Sequence, residues 1–66
     1  MNWIDVTKQK PNEYDEVLVV NNGEVFYCEY KNGNFCLEYF DATGGNVLLF
    51  TLVTHWIALD LIVLPV

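Results

Sequence analysis

The fold of this 66-residue chain is decided by one stretch, Glu16-Val17-Leu18-Val19-Val20-Asn21-Asn22-Gly23-Glu24-Val25-Phe26-Tyr27. Its first half is short, apolar and rich in β-branched residues, as is typical of a strand. The pair Asn22-Gly23 then favours a two-residue hairpin turn, because both residues accept a positive φ. A second pair, Asn32-Gly33, repeats the signal further along the chain. These two turns predict three consecutive antiparallel strands.

Signals outside these turns are weaker but still favour extended structure. We expect four strands, at residues 16–21, 24–31, 34–40 and 47–53. A loop over residues 41–46 precedes the fourth strand, and a last extended stretch runs from residue 54 to about residue 64, where Pro65 ends it. The alternative for the start of that stretch is a short helix over residues 57–61.

Residues 1–15 are predicted to form an irregular N-terminal arm or a short edge strand, anchored by Trp3, with a polar loop around Pro11. We therefore expect an all-β, mainly antiparallel fold in a single domain over residues 1–66. Its four- to five-stranded meander, over residues 16–64, is predicted to curl into a partly open barrel.

Two-residue turns also predict which residues lie opposite one another. The expected pairs are Val17–Cys28, Val19–Phe26, Tyr30–Phe35, Cys28–Leu37 and Phe26–Tyr39. Opposed residues share a face of the sheet, and faces alternate along each strand. The first face, predicted to be the core, collects Val17, Val19, Phe26, Cys28, Tyr30, Phe35, Leu37 and Tyr39. The second face, predicted to be partly solvated, collects Glu16, Leu18, Val20, Val25, Tyr27, Glu29, Cys36, Glu38 and Phe40.

This register places Cys28 and Cys36 on opposite faces of the sheet. A disulfide between them would distort the backbone, because their Cβ atoms point apart. We predict two free thiols, with Cys28 packed as a small buried hydrophobe. A slip of one residue at either turn would reverse this prediction.

The charge of the chain limits what it can bind. It has nine acidic residues against three lysines, no arginine, and a net charge of -6. Nucleic acid is an unsuitable partner because no basic stripe is present. A protein partner with a basic surface is the electrostatic match. The plainer alternative is that the acidic residues only keep a small apolar protein in solution.

Neither end of the chain resembles a membrane or targeting segment. The start, Met1 to Asp5, has neither a basic nor an apolar region of the kind found in secretion signals. Asp60 interrupts the C-terminal apolar run, which falls short of the ~20 residues that a membrane helix needs. We expect a cytoplasmic protein that does not bind membranes.

Residues that carry catalysis are sparse. The chain has one histidine and no serine or arginine. His55 with Cys28 or Cys36 is formally a nucleophile–base pair, but no motif surrounds it and no cations flank the thiols. Ligand spacings typical of metal sites are absent from the sequence. We predict a protein that is not an enzyme and needs no cofactor or metal.

The second face has the character of an interaction patch, with an apolar centre and an acidic rim. The predicted contact residues are Glu16, Leu18, Val20, Tyr27, Glu29, Glu38, Phe40 and His55. The C-terminal strands or the Trp3 arm are the alternative cover for this face. His55, beside the expected core residue Trp56, is either a contact residue or a hydrogen-bonded structural histidine. A small-ligand pocket among Tyr27, Tyr30 and Phe40 is a further alternative.

Several short motifs follow one another along the chain. They are Trp3-Ile4, Pro11, Glu16-Val17-Leu18-Val19, and Val53-Thr54-His55-Trp56-Ile57-Ala58-Leu59. In this order they resemble a family of very small phage and prophage proteins, the domain of unknown function 551. Ala58 and Asp60 stand where family members usually carry prolines. The resemblance implies an origin in a mobile element and a small β-rich fold, and it assigns no activity or site.

We therefore expect a non-catalytic protein-binding module of phage or prophage type, acting in the bacterial cytoplasm. Its expected role is that of an acidic inhibitor or modulator of a host protein in defence or nucleic-acid handling. The alternative is a self-assembling structural or accessory protein, whose oligomer interface is the hydrophobic C-terminal segment, Leu61 to Val66.

Overall fold

A computed structural model describes residues 2–59 and shows six β-strands in that part of the chain. The strands are β1 (Ile4–Asp5), β2 (Glu16–Asn21), β3 (Glu24–Lys31), β4 (Asn34–Asp41), β5 (Gly44–Phe50) and β6 (Val53–Ala58). Every pairing is antiparallel, so the all-β, antiparallel prediction is confirmed.

Both Asn-Gly turns form where the sequence predicts them. Asn22 and Gly23 have φ of 50° and 80°, and Asn32 and Gly33 have 52° and 78°. These left-handed values are the ones that asparagine and glycine tolerate best. The first hairpin consequently has the predicted register, with Val17 opposite Cys28 and Val19 opposite Phe26.

A third tight turn replaces the loop predicted over residues 41–46. Asp41 lies opposite Gly44, which leaves only Ala42 and Thr43 in the connection. The Asp41 carboxylate accepts hydrogen bonds from the Thr43 backbone N–H at 2.8 Å and from its hydroxyl at 2.6 Å. Such side-chain bonds stabilise a turn without an Asn-Gly pair. The fourth predicted strand, over 47–53, is therefore wrong in its bounds, because β5 begins at Gly44 and ends at Phe50.

The second hairpin departs from the predicted register away from its turn. Pairing of β3 with β4 includes Tyr30–Phe35 and stops at Glu29–Cys36. The pairs predicted beyond that point, Cys28–Leu37 and Phe26–Tyr39, are wrong. Strand β4 leaves β3 and continues along β5 instead.

The sheet is not a simple meander, because its last strand returns to its first. The order is β1-β6-β2-β3-β4-β5, with β6 inserted between β1 and β2. Among the described residues β1 and β5 are the two edges of one open sheet, so the predicted curl into a partly open barrel is not confirmed. Ile57 and Ala58 belong to β6, so these two residues are not the start of the alternative helix. Residues 60 and 61 of that helix, and residues 60–64 of the predicted extended stretch, lie outside the described residues.

The connection between β5 and β6 is hydrogen-bonded to the turn at Asn22-Gly23 and to the residue before it. Asn21 accepts a hydrogen bond from the Leu52 N–H through its side-chain oxygen, at 2.8 Å, and the Asn22 N–H donates to the Leu52 carbonyl at 3.2 Å. A register shift between Val20 and Asn21 accommodates the start of β6.

The core lies on the first face of the sheet. Its buried residues are Val6, Val17, Val19, Cys28, Phe35, Phe50 and Trp56. Ile4 and Val6, rather than the half-buried Trp3, bring the N-terminal arm to this core. The Trp56 indole N–H donates to the Gln9 carbonyl at 2.8 Å, so the polar loop after β1 is held to the core tryptophan.

Candidate protein-interaction surface

Six of the eight predicted contact residues come together on the second face, in three rows across β6, β2 and β3. Residues directly opposite one another define each row. The rows are Glu16–Glu29, then Ile57–Leu18–Tyr27, then His55–Val20–Val25. We name these three rows the second-face patch. The predicted set includes all of these residues except Ile57 and Val25.

The middle of the second-face patch is apolar and open to solvent on its β3 side. Tyr27 and Val25 are exposed, Leu18 and Val20 are half-buried, and Ile57 is buried. The exposed side chains are therefore neighbours on one surface rather than scattered singly. Contiguous apolar area of this kind is typical of interaction sites.

Two carboxylates form the acidic end of the patch. Glu16 and Glu29 lie directly opposite each other on β2 and β3. The Tyr27 hydroxyl donates to the Glu16 carboxylate at 3.0 Å, and this hydrogen bond raises the pKa of the Tyr27 phenol. Like charges placed opposite one another on a sheet are unfavourable. A cation from a partner would relieve that repulsion.

Lys31 links Glu29 to Glu38. Its ammonium group lies 2.6 Å from a Glu38 carboxylate oxygen and 3.9 Å from one of Glu29. The hydrogen bond to Glu38 raises the pKa of Lys31. Glu38 is thus connected to the patch through one lysine, although its strand has already left β3.

Phe40 does not belong to the patch. It lies at the far end of β4, opposite Gly45, and is 88% exposed. Its predicted place beside the apolar rows depended on the β3–β4 register beyond Cys36, which the structure does not have. Phe40 is therefore an isolated exposed aromatic at the tip of the β4–β5 hairpin.

His55 lies in the third row, between Asp5 of β1 and Val20 of β2. It is half-buried, and its Nδ1 lies 3.0 Å from the Thr54 hydroxyl oxygen. The pKa of Asp5 is lowered, chiefly by hydrogen bonds from Thr7 and to a smaller extent by His55. The imidazole thus has local polar neighbours and also borders the patch, so both predicted roles for it stay open.

The sequence prediction missed the apolar residues of β5. Val47 and Leu49 lie exposed on the second face, and Leu48 lies exposed on the first. A signal for them was present, because Val47-Leu48-Leu49-Phe50 is apolar without alternation. Such a run is typical of a strand covered on both faces.

The three aromatics proposed as a ligand pocket lie apart. Tyr30 packs on the first face against Phe35, with ring centroids 5.0 Å apart, whereas Tyr27 is on the second face and Phe40 at the hairpin tip. A depression of about 310 Å³ at the acidic end of the patch contains none of these three aromatics among its lining residues, which are Tyr14, Asp15, Glu16, Glu29 and Leu59.

Both thiols are free and buried, and they lie on opposite faces as predicted. Burial raises the pKa of Cys28 to about 12, with a smaller contribution from Cys36. Burial also raises the pKa of Cys36, and Lys31 opposes that shift. Neither thiol has the depressed pKa of a nucleophilic cysteine.

Residues 2–59 contain no cluster of three or more histidine, cysteine or acidic side chains that could hold a metal ion. No helix in that range is long and apolar enough to cross a membrane. Comparison with known proteins finds no matching family model, no matching curated protein and no matching solved structure.

Proposed function

We propose that this protein is a non-catalytic binding module that docks on another protein through the second-face patch. The observation that carries this proposal is the arrangement of the three rows. Apolar side chains at the centre exclude water from an interface, and polar groups at the rim select the partner. Tyr27 is the natural anchor, since it is exposed, aromatic and held in place by Glu16.

The acidic end of the patch favours a partner with a basic surface. Of these two carboxylates, Glu29 lies 3.9 Å from Lys31, and that lysine makes its closer contact, at 2.6 Å, with Glu38. The chain as a whole carries a net charge of -6, which steers a basic partner toward it over long distances. Nucleic acid is excluded from this proposal by the same charge.

The biological setting we propose is that of a phage or prophage protein in the cytoplasm of its bacterial host. This setting rests on the resemblance between the order of the chain's motifs and that of the domain of unknown function 551. In it, the protein acts as an acidic inhibitor or modulator of a host protein in defence or nucleic-acid handling. Such partners commonly carry basic surfaces, because they contact phosphate backbones.

The test is affinity capture from bacterial lysate with three versions of the immobilised protein. The wild type is compared with a patch variant, Val25→Thr/Tyr27→Ser, and with a control, Val47→Thr/Leu49→Thr. The control removes similar exposed apolar area from β5 and leaves the patch intact. We expect a protein that the wild type and the control retain and the patch variant loses by at least about tenfold.

Salt provides the second readout of the same experiment. Retention should weaken as salt rises to about 1 M, where charges are screened beyond about 3 Å. Equal retention by all three versions contradicts the proposal, as does retention that salt does not affect. Circular dichroism of each version confirms that the sheet is intact before capture.

Self-assembly through Leu61 to Val66 remains the alternative proposal. That segment lies outside the described residues. The same capture experiment separates the two functions, since a pure assembly protein would retain no other protein from the lysate.

A further inference from the structure

Strand β5 forms a long edge of the sheet and carries exposed apolar side chains on both of its faces. It pairs with β4 on one side, and among the described residues no strand lies on its other side. We propose that this free edge pairs, antiparallel, with β5 of a second copy of the chain, so that the sheet continues across a two-fold dimer.

The exposure of β5 is unusual for an edge. Val47, Leu48 and Leu49 are 59%, 47% and 53% exposed. Edge strands normally avoid pairing by being short, charged or covered. The opposite edge, β1, follows that rule, being two residues long and including Asp5. Strand β5 has seven residues and no charged side chain, and no other strand within residues 2–59 covers its free edge.

The distribution of charged residues along the chain favours a second copy of the chain as the partner of the β5 edge. Residues 42–54 contain no charged side chain, although the chain carries nine acids and three lysines elsewhere. A basic partner would find no carboxylate on β5 itself. A second copy, repelled elsewhere by its net charge of -6, meets the least repulsion along this strand. The chain therefore provides its own matching neutral, apolar strand.

The sequence of β5 also specifies a register. A two-fold axis at Leu48 places Leu48 opposite its copy on the first face and Val47 opposite the copy's Leu49 on the second face. Each of the three exposed apolar residues then has an apolar neighbour across the interface. An axis at Val47 would instead place Leu48 opposite Asn46 and Leu49 opposite Gly45, and it would bury less apolar surface.

The first test is the solution mass of the full chain over a concentration series, from low micromolar to about 1 mM. We expect the wild type to reach twice its 7.6 kDa chain mass, and Leu48→Lys to need at least about tenfold more protein to dimerise. The lysine lowers the net negative charge, so a weaker dimer would reflect the strand edge and not overall repulsion. The patch variant Val25→Thr/Tyr27→Ser should dimerise like the wild type.

The second test is oxidative cross-linking, which reads the register. Two cysteines introduced by Leu48→Cys lie opposite each other, with Cβ atoms about 5 Å apart. Those from Asn46→Cys lie about 13 Å apart along the strands. A covalent dimer from Leu48→Cys and none from Asn46→Cys supports the proposed interface.

A wild type that stays monomeric throughout the concentration series overturns the proposal. A dimer that Leu48→Lys leaves intact overturns it as well, since the interface must then lie elsewhere. If only the patch variant fails to dimerise, the chain associates through the second face, and the proposal is overturned. Lysate capture by the patch is read separately, so failure of either proposal leaves the other testable.

Discussion

The ring of Phe50 lies 5.0 Å from the ring of Phe26, although β4 separates their strands in the order of the sheet. Pairing of β4 with β3 stops at Cys36, so β4 does not pair with the start of β3, where Phe26 lies. Phe50 is buried and Phe26 half-buried, so the pair closes one side of the core.

We expect Phe26→Leu and Phe50→Leu to be non-additive. Aromatic pairs contribute about 0.5–1.5 kcal/mol beyond the area they bury. The double variant should therefore lose less stability than the two single losses predict, by about that amount. Urea denaturation of the four proteins measures the coupling. Additivity within about 0.3 kcal/mol would show that the ring contact contributes nothing of its own.

Cys28 should make the folded state lose stability at high pH. Its pKa is about 12 in the folded protein and about 8.5 in an unfolded chain. Its contribution is fully present below the unfolded pKa. As the pH rises from the unfolded pKa toward the folded pKa, the unfolded state releases the thiol proton and the folded state keeps it. The free energy of unfolding therefore falls, by at most about 1.4 kcal/mol per pH unit.

The control for this prediction is Cys28→Ala. Tyr27 and Lys31 also have raised pKa values, and the variant keeps both, so only the titration of Cys28 differs between the two proteins. Denaturation is measured from pH 7 to about pH 11. The alanine variant should be less stable at pH 7 and lose stability less steeply above pH 9. Parallel curves for the two proteins would contradict the prediction.

Alanine should lower the stability of the protein at Gly23 but not at Gly45. Gly23 has a φ of 80° and open space around it, so Gly23→Ala costs only backbone strain, about 1–2 kcal/mol. Gly45 is in strand β5, and its new Cβ would lie 3.3 Å from the exposed ring of Phe40, which can move. Gly45→Ala should be neutral or stabilising by up to about 1 kcal/mol.

Thermal denaturation of both glycine variants provides the measurement. A larger loss for Gly45→Ala than for Gly23→Ala would mean that the Phe40 ring is fixed in place. Phe40 would then be an aromatic that packs against β5, rather than an isolated exposed one.

Trp56 should contribute more to stability than Trp3. Trp56→Phe removes the hydrogen bond to the Gln9 carbonyl as well as buried ring volume, at a cost of about 1–3 kcal/mol. Trp3→Phe changes a half-buried side chain and serves as the matched control. Each variant keeps one tryptophan, so fluorescence quenching by acrylamide also compares their exposure. Equal quenching of the two would contradict the burial of Trp56.

The parts of the fold that the sequence predicted are those that local chemistry determines. Asn22-Gly23 and Asn32-Gly33 require positive φ, and this was enough to fix the β2–β3 register and the separation of the two thiols. The turn at Ala42-Thr43 depends on an aspartate side chain, which is a weaker signal. The return of β6 to β2 is a long-range pairing with no local signature.

The same contrast between local signals and long-range pairing holds for the residues of the candidate site. The rows through Leu18 and Val20 followed from one hairpin and were predicted with it. Phe40 was misplaced because a register correct at Asn32-Gly33 was extended beyond the point where the strands part. The apolar run of β5 was visible in the sequence, but only the structure shows that it lies at an edge.

The position of β6 between β1 and β2 has a consequence for how the chain acquires its fold. Both N-terminal strands obtain a neighbour from near the other end of the sequence. During folding the β2–β3 hairpin can therefore form early from local contacts, but β1 has no strand to pair with until β6 has docked beside β2. Topologies with such distant contacts fold slowly. We expect the apolar face of the early hairpin to stay exposed until β6 docks.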